Sequence, residues 1–142
     1  MIRKFKDSDT DQLVDIWARA GAVAHPFLPE AFVAQVAKDM RNIYLPNAET
    51  WVSVVDGQPN GFIALLGAEI GGLFVDPDAI GQGYGRALVD HAVGLKGPLR
   101  VEVFKDNQIG LPFYTRYGFI YESEALHEPS GAVAVQMVMA KR

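Results

Sequence analysis

The stretch Val75-Asp76-Pro77-Asp78-Ala79-Ile80-Gly81-Gln82-Gly83-Tyr84-Gly85-Arg86 constrains this chain more than any other. An apolar run, Ile70 to Val75, leads into it, and Tyr84, Leu88, His91 or Ala92, and Leu95 follow at helical spacing. The segment reads as a strand, a glycine-rich loop and a helix start. Glycines at alternate positions let the main chain curl, so that successive N–H groups point into one concavity. At a helix N-terminus that concavity also feels the positive end of the dipole. It suits an anion, a phosphate or pyrophosphate foremost, and Arg86 can add a charge-assisted contact. Taken alone, the glycines could equally serve a tight turn. Two better-known phosphate motifs are absent. No Gly-Lys-Ser/Thr triplet occurs, and a G-x-G-x-x-G frame begun at Gly81 or Gly83 ends on Arg86 or Leu88.

The 142 residues predict one domain, 1–142. With no cysteine, a disulfide framework, a thiolate metal site and a cysteine nucleophile are excluded. His25, His91 and His127 are scattered, and neither His-Glu-x-x-His nor Gly-x-Ser-x-Gly occurs, so no metal and no serine nucleophile are expected. A net charge of −4 without a basic stripe argues against nucleic acid. The charged start Met1-Ile2-Arg3-Lys4 lacks the apolar core of a signal peptide, and no apolar run approaches a membrane span. A cytoplasmic chain without membrane contact is the expectation.

Ile2 to Lys6 reads as a strand, and Ser8 with Asp11 as a capping box. Leu13, Ile16, Trp17 and Ala20 place a helix over 9–22, and Phe32, Val33, Val36 and Met40 a second near 30–40. Trp51 to Val55 and Gly61 to Leu66 are strand-like across a turn, and Leu99, Val101 and Val103 share one face of a later strand. A helix near 108–117 and strands over 118–125 and 133–140 complete the order βααβββαβαββ. The class is α/β, with a parallel crossover through the helix over 84–95. Pro112 predicts a short or kinked helix around it, because an interior proline costs ~3 kcal/mol or more.

A second segment, Asn107-Gln108-Ile109-Gly110-Leu111-Pro112-Phe113-Tyr114-Thr115-Arg116-Tyr117-Gly118-Phe119, accompanies the glycine loop. On these two segments the chain resembles the GNAT (N-acetyltransferase) superfamily. The acetyl-CoA pyrophosphate loop of that family reads Arg/Gln-x-x-Gly-x-Gly/Ala after a strand ending V-x-P. Val75-Asp76-Pro77 and Gly83-Tyr84-Gly85 match it, with Ile80 at the Arg/Gln position. The second segment is similar to N-x-x-A-x-x-F/L-Y-x-x-x-G-F, with Gly110 where alanine is common. The resemblance implies the GNAT fold, a mixed and mostly antiparallel sheet of about seven strands with about four helices. It implies acetyl-CoA as cosubstrate and direct attack by a primary amine, on a small molecule or a protein, in a ternary complex. A homodimer is common in the family. The same resemblance assigns cofactor contacts to Phe74, Val75, Gly81, Gln82, Gly83, Tyr84, Gly85, Arg86, Asn107 and Tyr114.

Such a transfer needs a neutral amine, a stabilised oxyanion and a proton for the leaving thiolate. Tyr114, matched to the tyrosine beside the thioester sulfur, is the candidate general acid. A backbone N–H near Phe74 or Val75 is the candidate oxyanion donor. Many relatives carry an acid early in the strand before V-x-P, where this chain has Gly71 or Gly72. Glu69 and Glu102 are nearby carboxylates. His25, in Ala24-His25-Pro26-Phe27-Leu28, is the more suggestive base, because the segment resembles an H-x-F-L stretch that lines the acceptor site in some small bacterial members, and imidazole titrates near ~6.5. An equal alternative is that it only orders the turn between the first two helices. Phe27, Trp51 and Phe62 would wall the acceptor site or simply pack in the core. Gly71/Gly72, Ile80 and Pro112 together leave room for a second reading, a non-catalytic acyl-CoA-binding sensor or partner module.

Overall fold

The structure, a computed structural model, describes residues 1–140. Strand β1 (Ile2–Lys4) precedes helices α1 (Thr10–Ala24) and α2 (Glu30–Asp39), a π-helical turn Met40–Tyr44 and one helical turn, α3 (Leu45–Asn47). Strands β2 (Glu49–Val55), β3 (Gln58–Leu66) and β4 (Glu69–Val75) form a meander. Helix α4 (Tyr84–Lys96) then crosses to β5 (Arg100–Phe104), and α5 (Gly110–Tyr117) leads to the hairpin of β6 (Phe119–His127) and β7 (Ala132–Met139). The seven strands make one sheet in the order β1-β2-β3-β4-β5-β7-β6. Every pairing is antiparallel except that of β4 with β5. The order of strands and main helices matches the expectation, with α3 and short 3₁₀ and π turns added.

Each face of the sheet carries its own core. On one side α1 buries Leu13 and Ile16 against Val52 and Phe62. On the other, Leu88, Val89 and Ala92 of α4 and Tyr114 of α5 pack on Ile63, Leu65, Val101 and Val103. Phe62 and Ile63 are neighbours in sequence yet both are 0% exposed. Helices cover both faces of β3, so its sequence is a continuous apolar run instead of an alternation. Burying each such side chain is worth ~1.5–3 kcal/mol.

Several local expectations are corrected. Ser8 does not cap α1. It lies in a 3₁₀ turn, Asp7–Asp9, where the Asp9 carboxylate accepts the Lys6 N–H at 2.8 Å and a two-pronged contact from Arg3 at 2.8 and 2.9 Å. Val33 and Leu95 are exposed despite their helical spacing. At Pro112 the expectation of a short or kinked helix is met in its first form: Pro112 is the third residue of α5, where its missing N–H is one no intrahelical bond would use. The helix is short, at eight residues.

The decisive feature lies in mid-sheet. The β4–β5 ladder consists of two residue pairs, Glu69↔Arg100 and Ile70↔Val101, and then the strands part. Gly71 is the extra residue in an irregularity where β4 pairs with β3, between Ala64↔Gly72 and Leu65↔Ile70. An extra residue bends its strand and raises the local twist, which turns the rest of β4 away from β5.

Candidate active site

Between the parted strands opens a cleft of about 490 Å³, floored by β4 and β5 and flanked by α1, the glycine loop and α5. Backbone direction along β4 is fixed at one end. The Asp76 N–H donates to the Asn60 carbonyl at 2.8 Å, on the β3 side. With a period of two, the N–H groups of Gly72 and Phe74 also face β3, and those of Leu73 and Val75 face the cleft. Of the two sequence candidates for a backbone donor, Val75 therefore points into the gap and Phe74 does not. Phe74 instead borders the cleft with its ring, 5.5 Å from that of Phe62.

The glycine loop closes one end. Gly81 and Gly83 have φ of +85° and +89°, a left-handed backbone that L side chains rarely adopt, and the space where their Cβ atoms would sit is open. Gly83 is the N-cap of α4. Gly85 is already helical, and a Cβ there would make only ordinary contact with the Phe113 ring at 3.4 Å. Gly81, Gly83, Tyr84, Gly85 and Arg86 border the cleft, whereas Gln82 is exposed outside it. The Arg86 guanidinium lies 5.5 Å from the Tyr117 ring centre. Arg19 of α1 grips Asp76 with two hydrogen bonds of 2.9 Å, while the Asp78 N–H donates to the same carboxylate. The Arg19 contact holds the Asp76 carboxyl below its usual range and ties α1 to the start of the loop.

His25 and Tyr114 both border the cleft. His25 caps the C-terminus of α1, its N–H donating to the Gly21 carbonyl at 2.7 Å. Its ring lies edge-on to Phe27 (6.0 Å) and Phe104 (5.3 Å), and burial pushes its pKa down. The buried Asn107 side chain reaches it, with Nδ2 at 3.0 Å from Nε2. Tyr114 is 6% exposed between Phe113 and Phe119, and burial raises its phenol well above the ordinary value. The hydroxyl is consequently protonated at neutral pH.

Of the two positions for the usual acid, Gly71 has room for a Cβ, with Leu66 at 3.4 Å, and Gly72 is the crowded one. A Cβ on Gly72 would meet the Phe74 ring at 2.9 Å. Glu102 borders the cleft but is exposed and bonded to Gln136; Glu69 lies at the paired root of β4. The proposed acceptor wall is not assembled. Phe62 is core on the α1 face, Trp51 stacks on His91 on the opposite face, and only Phe27 stands beside His25. Sequence reasoning missed Phe104, which bridges the rings of His25 and His127, and the Arg19–Asp76 clamp, whose partners are 57 residues apart. No local signal marks such a distant pair. Among the described residues no group of three or more His, Asp or Glu side chains is placed to hold a metal, and no helix is long and apolar enough to cross a membrane.

A sheet split at its one parallel pair, with a left-handed glycine loop at the mouth of the split, is the arrangement of an acyl-CoA-dependent acyltransferase. Residues 46–121 match the Acetyltransferase (GNAT) domain, and the chain belongs to that family. It is an N-acetyltransferase with acetyl-CoA as cosubstrate. A peptidyl-lysine N-acetyltransferase, YjaB of Salmonella typhimurium, is 37% identical over 119 residues, which is 83% of this chain and 81% of that protein. The solution structure of apo YjaB from Escherichia coli superimposes with a TM-score of 0.90 at 30% identity, covering 100% of this chain and 98% of the other. The PaiA N-acetyltransferase of Thermoplasma acidophilum, crystallised with coenzyme A, shares the fold at a TM-score of 0.80, 16% identity and 96% coverage of both chains.

Proposed function

We propose that the protein acetylates the ε-amino group of lysine in a peptide or protein, by direct attack of the amine on acetyl-CoA in a ternary complex. The observation that carries the reading is that His25 and Tyr114 border the same cleft as the glycine loop. The substrate class is supported by relatives named as peptidyl-lysine acetyltransferases.

The residues fit the cosubstrate. The amides around Gly81 and Gly83 form a concavity for a pyrophosphate at the N-terminus of α4. The Leu73 and Val75 N–H groups, left unpaired by the departure of β5, are donors for an extended arm and for the thioester oxygen. Acetyl-CoA supplies the activated acetyl group. His25 takes the proton of the attacking amine at Nε2 as the new C–N bond forms, displacing the Asn107 N–H that occupies that lone pair at rest, and the Tyr114 hydroxyl gives its proton to the sulfur as the C–S bond breaks. Asn107 offers one N–H of its carboxamide to His25, which leaves the second for the cosubstrate arm.

Incubation with acetyl-CoA and a panel of lysine peptides, free lysine and polyamines, following thiol release, tests this reading. Release with lysine peptides above the other amines supports it. Release with free amines alone overturns the substrate class, and none with any amine, while CoA still binds, overturns the catalytic assignment.

A further inference from the structure

The carboxamide of Asn107 sits where α5 begins, and both of its ends are committed. Its Oδ1 accepts the backbone N–H groups of Ile109 (3.1 Å) and Gly110 (2.8 Å), two donors that only an oxygen can satisfy. The amide therefore cannot be turned over, and the group facing His25 Nε2 at 3.0 Å is the NH₂ end, a donor. Nε2 must accept. We infer that Asn107 is a positioning residue that holds His25 as the neutral imidazole with its proton on Nδ1 and its lone pair on Nε2.

The rest of the neighbourhood agrees. A protonated ring would set an N–H against an N–H across 3.0 Å, so the contact disfavours the imidazolium. The groups packed on the ring are the aromatic edges of Phe27 and Phe104. His127 stands beyond Phe104, bonded to Ser130, and Lys105 on the neighbouring loop is turned to Glu124. Burial, with no charged side chain contributing, lowers the pKa of His25. Gly110 makes the arrangement feasible. A Cβ there would come within 2.5 Å of Asn107 Nδ2 and 3.1 Å of its Cγ, so any side chain would displace the carboxamide. This accounts for glycine at a position where the family pattern commonly has alanine.

The inference rests on the proposed function only for its catalytic consequence: Nε2 is held by Asn107 at rest and reaches a substrate proton when that hydrogen bond is exchanged. Long-range ¹H–¹⁵N spectra of the labelled full chain, with His25 assigned through His25→Gln, read the tautomer directly. The Nδ1–H pattern is expected at neutral pH. Asn107→Asp keeps an acceptor for Ile109 and Gly110 but presents a carboxylate to Nε2. The His25 pKa should then rise by about 1–3 units, and the acid limb of the kcat/KM profile should move with it. Gly110→Ala, which keeps both partners but crowds them, should yield a mixture of tautomers. An Nε2–H tautomer in the native chain, or an unshifted His25 pKa in Asn107→Asp, overturns the inference. Native turnover in His25→Gln instead sinks the base assignment while leaving the tautomer result standing, so the two failures are distinguishable.

Discussion

Replacing Tyr114 with phenylalanine isolates one atom. The ring is 6% exposed and held edge-on by Phe113 at 5.2 Å and Phe119 at 5.3 Å, contacts that phenylalanine keeps. No volume is lost from the core beyond the oxygen, so the unfolding free energy should change by less than about 0.5 kcal/mol. A general acid is worth ~10²–10⁴ in rate, and at 1.36 kcal/mol per decade the variant should lose about 2.7–5.5 kcal/mol of transition-state stabilisation. The assay is thiol release against acetyl-CoA concentration, paired with calorimetric CoA binding and a urea melt. The expected pattern is a kcat lower by two to four decades, with CoA affinity and melt midpoint near native. The native enzyme should also show no tyrosine limb up to about pH 10, because burial holds the phenol above its ordinary value. A fall in kcat of less than threefold would refute the general-acid role. An equal loss of CoA affinity would instead make Tyr114 a binding residue.

Other substitutions probe the loop and the histidine. Gly83→Ala forces a side chain into φ +89° with open space around it, so backbone strain alone should cost about 1–2 kcal/mol in the urea midpoint and raise the KM for acetyl-CoA. Ile80→Arg adds a cation at a 44%-exposed position beside the cleft. CoA should bind several-fold tighter at low salt, an advantage that fades as salt is added. His25 titrates lower in the folded chain than its unfolded value of ~6.5, so the unfolded state holds the extra proton between the two. Its contribution is complete above that value and declines as pH falls through it. His25→Gln should flatten the pH slope of stability below about pH 6.5.

Much of this molecule is written locally. Apolar spacing of 3.6 or 2 marks nearly every element, because each buries one stripe against a neighbour, and the turn chemistry at Gly97-Pro98 and Asp76-Pro77 ends them where expected. The two motifs, 73–86 and 107–119, were legible because main-chain curvature and helix starts need particular residues at fixed offsets. Spacing misled only where packing decides. Leu95 has the helical interval of a core residue but is exposed, and Trp51 and Phe62, eleven positions apart, face opposite sides of the sheet.

What the sequence by itself determined was the class, the order of elements and the glycine turn before α4, all products of short-range sterics and periodicity. The tertiary structure decided the rest, since it depends on contacts between residues far apart in the chain. The extra residue at Gly71 parts β4 from β5, and pairing with β3 leaves the Val75 N–H toward the gap while the Phe74 N–H faces β3. Phe74 fills the place an acid on Gly72 would need. His25 meets Asn107 across 82 residues, an encounter that no spacing rule encodes and that bears on which nitrogen of the ring carries its proton.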